Sequence, residues 1–147
     1  MGQQWRVMIK INETGYIYVD NNKISRFKDE CFEYNGEKYI YNRIFPGCKV
    51  NLINNSKIIA TAASSLLPFS FSSTLFYNNL KYKLKKRIFS RRYIIYNTNK
   101  MVVGKIEPDG LMSLTPLTSI SNEIPIEIQI FLSIYIQKDW RNAGGSA

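Results

Sequence analysis

The stretch 124–141, Ile-Pro-Ile-Glu-Ile-Gln-Ile-Phe-Leu-Ser-Ile-Tyr-Ile-Gln-Lys-Asp-Trp-Arg, limits what this chain can fold into more than any other part of it. With period two, Ile124, Ile126, Ile128, Ile130, Leu132, Ile134 and Ile136 fall on one side, the alternation of a half-buried strand. A strand of that length would be about twice the usual five or six residues. As a helix the segment is apolar nearly all round, because Phe131, Leu132, Tyr135 and Trp140 fill the remaining faces, and such a helix must be enclosed by other structure. Ser121 or Asn122 can cap it, Glu123 suits its first turn, and Pro125 stands where an amide hydrogen would go unbonded. Lys138 and Arg141 suit the carbonyl end, and Gly144-Gly145 follow. With Glu127 and Gln129 inside it, the segment is too short and too polar for a bilayer span of about 20 apolar residues. The spacing predicts a buried helix over 124–141 and no transmembrane segment.

The residues before it must then build the enclosure. Strand-like runs occur at 5–11, 15–20, 23–28, 30–34, 37–44, 49–53, 57–63, 75–77, 80–88, 93–96, 100–106 and 111–117. Between them stand turn signals such as Asn21-Asn22, Asn54-Asn55-Ser56, Asn78-Asn79 and Pro108-Asp109-Gly110. The clearest is Asn35-Gly36, the preferred pair for a type I′ hairpin. Residues 64–73 are rich in Ser, Leu, Pro and Phe and read as an irregular crossover packed on the body. Many short strands with regular turns predict an all-β barrel or sandwich. A closed barrel of about eight strands is filled by its own side chains, whereas about twelve leave room for a helix roughly 10 Å across. The fold class expected is therefore mainly β: a closed antiparallel barrel of about twelve strands around a C-terminal hydrophobic helix.

At 147 residues the chain reads as a single domain, 1–147, long enough for a real core. It contains no histidine, which removes the commonest general base and the Ser-His and Cys-His nucleophile pairs. Cys31 and Cys48 lie outside any CxxC spacing, so no zinc site is read. They are expected to be reduced, buried thiols of a cytoplasmic protein, since no secretory signal opens the sequence. Gly2 is followed at position 6 by Arg, where a myristoylation motif wants Ser or Thr. The carboxylates Asp29, Glu30, Glu33, Glu37, Glu107 and Asp109 sit in or beside turns, with no two paired across a cleft by the sequence. No P-loop, GxGxxG or GxSxG occurs. No catalytic residue, metal site or cofactor is assigned, and an enzyme ranks last among the readings.

Three segments carry a resemblance. Lys81-Tyr-Lys-Leu-Lys-Lys-Arg87, Tyr93 to Ile106 with its Val-Gly-x-Ile, and Ile124-Pro-Ile-Glu through Trp140-Arg141 are similar to the tubby C-terminal-like group, which includes tubby proteins, phospholipid scramblases and LURP-one-related proteins. The resemblance covers roughly the last 70 residues. It implies a twelve-stranded antiparallel barrel around a central C-terminal helix, and a lipid-binding surface. No acidic calcium-binding segment like that of scramblases is present, so calcium-driven lipid transport is not implied.

A net charge of +9 points to an anionic partner, nucleic acid or phospholipid. The densest cations are Lys81, Lys83, Lys85, Lys86, Arg87, Arg91 and Arg92. Alternation puts Lys81, Lys83 and Lys85 on one strand face and Tyr82 and Leu84 on the other. Such lysines equally suit a solvated strand face protected against edge pairing. The functional alternative is an anionic docking patch. Tyr16, Tyr18, Tyr34, Tyr39, Tyr41, Tyr93 and Tyr96 could stack bases beside the charges, although tyrosine is also ordinary barrel-wall material. The reading is a non-enzymatic binding or scaffold module, docking peripherally on anionic phospholipid; the alternative is a nucleic-acid-binding β domain.

Overall fold

The computed structural model describes residues 6–44, 48–64, 72–87 and 89–145. Twelve strands form one sheet: β1 (Arg6–Ile11), β2 (Tyr16–Val19), β3 (Asn22–Arg26), β4 (Cys31–Tyr34), β5 (Glu37–Ile44), β6 (Lys49–Asn54), β7 (Lys57–Ser64), β8 (Ser72–Tyr77), β9 (Leu80–Lys86), β10 (Tyr93–Tyr96), β11 (Val102–Pro108) and β12 (Pro116–Ser121). Among the described residues one helix, α1 (Ile126–Gly145), follows. Every strand pairs antiparallel with its sequence neighbour except β3 with β4, and β12 returns to pair with β1. The result is a meander barrel, nearly closed, with one seam between β3 and β4.

Local chemistry explains the meander. Asp20-Asn21, Asp29-Glu30, Asn35-Gly36, Asn55-Ser56 and Asn78-Asn79 all have positive φ at both positions, the backbone of type I′ turns. That turn has the twist of the strands it joins, and Asn and Asp tolerate its left-handed backbone better than most residues. The turn expected at Asn21-Asn22 is therefore Asp20-Asn21, with Asn22 opening β3.

The barrel is filled by α1. Ile130, Phe131, Leu132 and Ile134, which point in different directions around the helix, are all at 0% exposure. Their wall partners are the inward, alternating residues of the strands, among them Ile9, Ile11, Leu52, Leu75, Leu84, Ile95 and Ile120. The helix begins at Ile126 rather than 124. Pro125 contributes its carbonyl to the amides of Ile128 and Gln129, both at 3.0 Å, while Ser121 holds the preceding turn by accepting from Glu123 and Ile124. At the other end the helix runs through Gly145, so Lys138 and Arg141 are not in its last turn. They reach the wall instead: Lys138 pairs with Glu30 at 3.0 Å, and Arg141 donates to the Glu13 carbonyl at 2.6 Å.

Several strand boundaries differ from expectation: β8 begins at Ser72 rather than at 75, and two further shifts have a visible cause. The last strand was expected over 111–117 and is found at Pro116–Ser121, because Arg91 binds the carbonyls of Gly110, Leu111 and Ser113 and holds 110–113 as a loop. The strand expected from 100 starts at Val102, since Asn97 Oδ1 accepts the amides of Asn99 and Met101 and Lys100 is left-handed. The expected crossover at 64–73 joins neighbouring strands, with Ser64 opposite Ser73; residues 65–71 lie outside the described residues, as do Trp5 and residue 88.

Candidate functional site on the outer wall

β9 runs between β8 and β10. Tyr82 and Leu84 turn inward and are buried, which leaves Lys81, Lys83 and Lys85 on the outside. The register opposes Lys81 to Phe76, Lys83 to Thr74 and Tyr96, and Lys85 to Ser72 and Ile94. No carboxylate is among these cross-strand partners. Lys83 Nζ donates to Thr74 Oγ1 at 3.3 Å, and Lys85 Nζ lies 5.6 Å from the Tyr96 ring centre. Among the described residues none of the three forms an ion pair; the pairs are Lys10–Asp109, Lys105–Glu107 and Lys138–Glu30. Three cations thus project from one strand with their charge uncompensated, and their mutual repulsion favours an anion between them.

The rest of the basic cluster does not join this stripe. Lys86 continues the inward alternation at the strand's end, with Nζ 6.0 Å from the Tyr93 ring centre. Arg87 and Arg92 are exposed on the loop after β9. Arg91 is a clamp: besides its three carbonyl acceptors, its guanidinium lies 5.3 Å from the Trp140 ring, and its own carbonyl accepts from Trp140 Nε1 at 3.0 Å. It ties the loop before β12 to the helix, with three of its donors committed to that loop. Lys105 was missed by sequence reasoning and sits on the same wall. It opposes Ile94, which opposes Lys85, although Glu107 neutralises it at 3.0 Å. Only the register brings residues so far apart in sequence to one face.

The tyrosines divide. Tyr39, Tyr41, Tyr82 and Tyr93 are core. Burial pushes Tyr82 up to about 12, helped by its hydrogen bond to Glu123, and pushes Tyr41 and Tyr93 higher still. Tyr16 and Tyr96 remain half-buried, with their rings faced by the chain's own Lys23, Arg26 and Lys85. The thiols depart from expectation. Cys48 is exposed and Cys31 half-buried, because both stand at strand starts beside surface clefts rather than within the core.

Among the described residues, three concavities lie near the residues singled out in the sequence. A small one of about 190 Å³ lies at the barrel mouth beside Tyr41, Ser64, Tyr135 and Lys138. A cleft of about 390 Å³ follows the β3–β4 seam, and a groove of about 470 Å³ lies on the outer wall over β7, β8 and Lys81. Among the described residues no group of three or more acidic or thiol ligands is placed to hold a metal ion, and no helix is long and apolar enough to cross a membrane.

Fold and site together define a helix-filled meander barrel with one basic outer strand. No family model matches the chain, and no curated protein or solved structure is significantly similar to it.

Proposed function

We propose that the protein is a non-enzymatic docking module of the cytoplasm that meets anionic phospholipid headgroups through Lys81, Lys83 and Lys85. The observation that carries this reading is the uncompensated lysine stripe on β9, whose cross-strand neighbours include no acid. The barrel axis is taken up by the chain's own helix, so a partner of any size meets the outer wall or the ends. The resemblance of the C-terminal half to tubby-like proteins tilts the choice of anion toward lipid. Base stacking is less well supported, because the outward rings of Tyr16 and Tyr96 are already faced by the chain's own cations.

Each lysine near an anionic surface contributes on the order of 1 kcal/mol. Reversing Lys81, Lys83 and Lys85 to Glu leaves Tyr82 and Leu84 in place, so the far-ultraviolet spectrum and melting temperature should stay close to those of the parent. Co-sedimentation with phosphatidylserine vesicles should collapse. Binding of the parent should weaken with added salt, as screening requires. A parent that ignores such vesicles at low salt but retains single-stranded oligonucleotide with a steep salt slope would transfer the stripe to nucleic acid.

A further inference from the structure

Ile58, Phe76 and Leu80 are 60%, 44% and 39% exposed, and all three line the same outer groove, with Lys81 at its rim. Single exposed apolar side chains are ordinary, but several sharing one concavity mark a contact surface. Ile58 and Phe76 face outward, whereas Leu80 shares the inward alternation of Tyr82 and Leu84 but, at the end of β9 beside the Asn78-Asn79 turn, stays exposed at the groove. The deeper inward positions of the same strands are taken by Ala60, Ala62, Leu75, Tyr82 and Leu84. The groove also continues sideways as a row, because Ile40 opposes Ile53 and Ile53 opposes Ile58, with Ile40 at 42% exposure.

Topology puts this surface at one end of the barrel. In a meander, the turns after even-numbered strands share an end, so Asn55-Ser56 and Asn78-Asn79 lie together, with Ile58 and Leu80 just beyond them. Lys57 precedes Ile58, and Lys81 opposes Phe76. No carboxylate lines the groove; Glu37, which opens β5, is separated from β7 by β6.

We infer that this end is a membrane-insertion tip: Ile58, Phe76 and Leu80 enter the boundary between headgroups and acyl chains while Lys57, Lys81 and Lys83 hold the phosphates above them. The inference rests on the proposed docking of the β9 stripe and adds the apolar half of the contact. A weak apolar anchor and a basic patch hold a surface together where neither suffices alone. A second copy of this chain is the poorer occupant, since two such faces meeting about a twofold axis would set Lys57 and Lys81 against their own equivalents.

The test uses the full chain with phosphatidylcholine vesicles containing about 30% phosphatidylserine. Ile58→Ser, Phe76→Ser and Leu80→Ser together touch exposed positions only, and circular dichroism checks that the variant is folded. Its vesicle affinity should fall at least about tenfold, and the salt-resistant part of the parent's binding should vanish. In the Phe76→Trp protein, emission beyond that of Trp5 and Trp140 should shift to the blue on binding and be quenched by lipids brominated on the acyl chain. Unchanged affinity of the serine variant, or no quenching at position 76 in a vesicle-bound protein, overturns insertion while leaving headgroup docking intact. Loss of binding in the Lys81→Glu, Lys83→Glu, Lys85→Glu protein is the separate signature of docking. A parent that does not bind these vesicles at all overturns both. If its sedimenting mass is then halved by the serine substitutions, the groove is a contact between copies.

Discussion

On the β12–β1 side of the barrel the helix is held by hydrogen bonds, whereas on the β3–β4 side it is held by rings. At β12–β1 the ladder is complete, from Arg6 opposite Ser121 to Lys10 opposite Leu117. Facing it, one polar stripe of the helix is fully buried. Gln129 Nε2 donates to the carbonyl of Ile124 at 2.8 Å, Ser133 shares a hydrogen bond with Thr118, and Gln137 Nε2 donates to the carbonyls of Ile11, Asn12 and Leu114. At β3–β4 the strands share only the bridge from Lys28 to Cys31. The adjoining β2–β3 hairpin carries a bulge between Ile17 and Tyr18, and the gap is filled by aromatic side chains. Phe27 lies 5.8 Å from Tyr41, Phe32 stacks on Tyr39 at 5.2 Å, and Tyr41 lies 5.6 Å from Phe131 of the helix. Short, directional bonds serve where two backbones come close. Large rings serve where a missing ladder leaves width to fill.

The largest effect should come from removing the helix from both sides at once. Leu132→Asp buries an unpaired carboxylate at a position with 0% exposure, costing at least about 5 kcal/mol and comparable to the stability of a whole domain. The variant should be insoluble or lack a cooperative melt; a soluble, folded product would refute the enclosed helix.

Alkali should come next, because buried tyrosines line both sides. Tyr39, Tyr41, Tyr82, Tyr93 and Tyr135 are all raised, with burial as the first cause in each. An unfolded tyrosine ionises near 10 while the folded one keeps its proton, so above that pH the unfolded chain holds fewer protons and stability falls. The stabilisation is complete below pH about 10, declines above it, and for Tyr82 is gone beyond about 12. Denaturant midpoints measured from pH 8 upward should be level at first and then drop; a flat profile through pH 12 would contradict the burial.

Gly104→Ala tests how closely the complete wall is packed. A methyl there would stand 2.7 Å from Ile120 Cα and 2.8 Å from the Ser119 carbonyl, both backbone. About 1–3 kcal/mol should be lost, read as a lower denaturant midpoint. Gln137→Leu, on the same side, strands the carbonyls it serves and should cost about 2 kcal/mol. Lys138→Ala gives the smallest change. Its pair with Glu30 is partly exposed, at 23% and 53% for the two side chains, so under about 1 kcal/mol is expected, although the ammonium also lies over Phe27 and Tyr41. A larger loss from Lys138→Ala than from Gln137→Leu would reverse the contrast between bonded wall and ring-filled seam.

Most of the strands, the twofold turns and the enclosed helix were legible in the sequence because each rests on forces acting within a few residues. Alternation decides which way Tyr82 and Lys83 point, Asn78-Asn79 accept a left-handed backbone locally, and Ile124 to Ile136 with Phe131 and Tyr135 leave no polar face broad enough for water. The split of the basic cluster was not legible. Arg91 and Arg92 are adjacent in sequence and alike in chemistry, yet only Arg91 meets the carbonyls of 110–113, a loop held between the paired strands β11 and β12. The same holds for Gln137, whose acceptor on Ile11 is 126 residues away, and for the β3–β4 seam, where the single bridge from Lys28 to Cys31 stands in place of a ladder. Hydrogen-bond partners and strand edges across such distances are set by the closure of the barrel. Only the tertiary structure decided them.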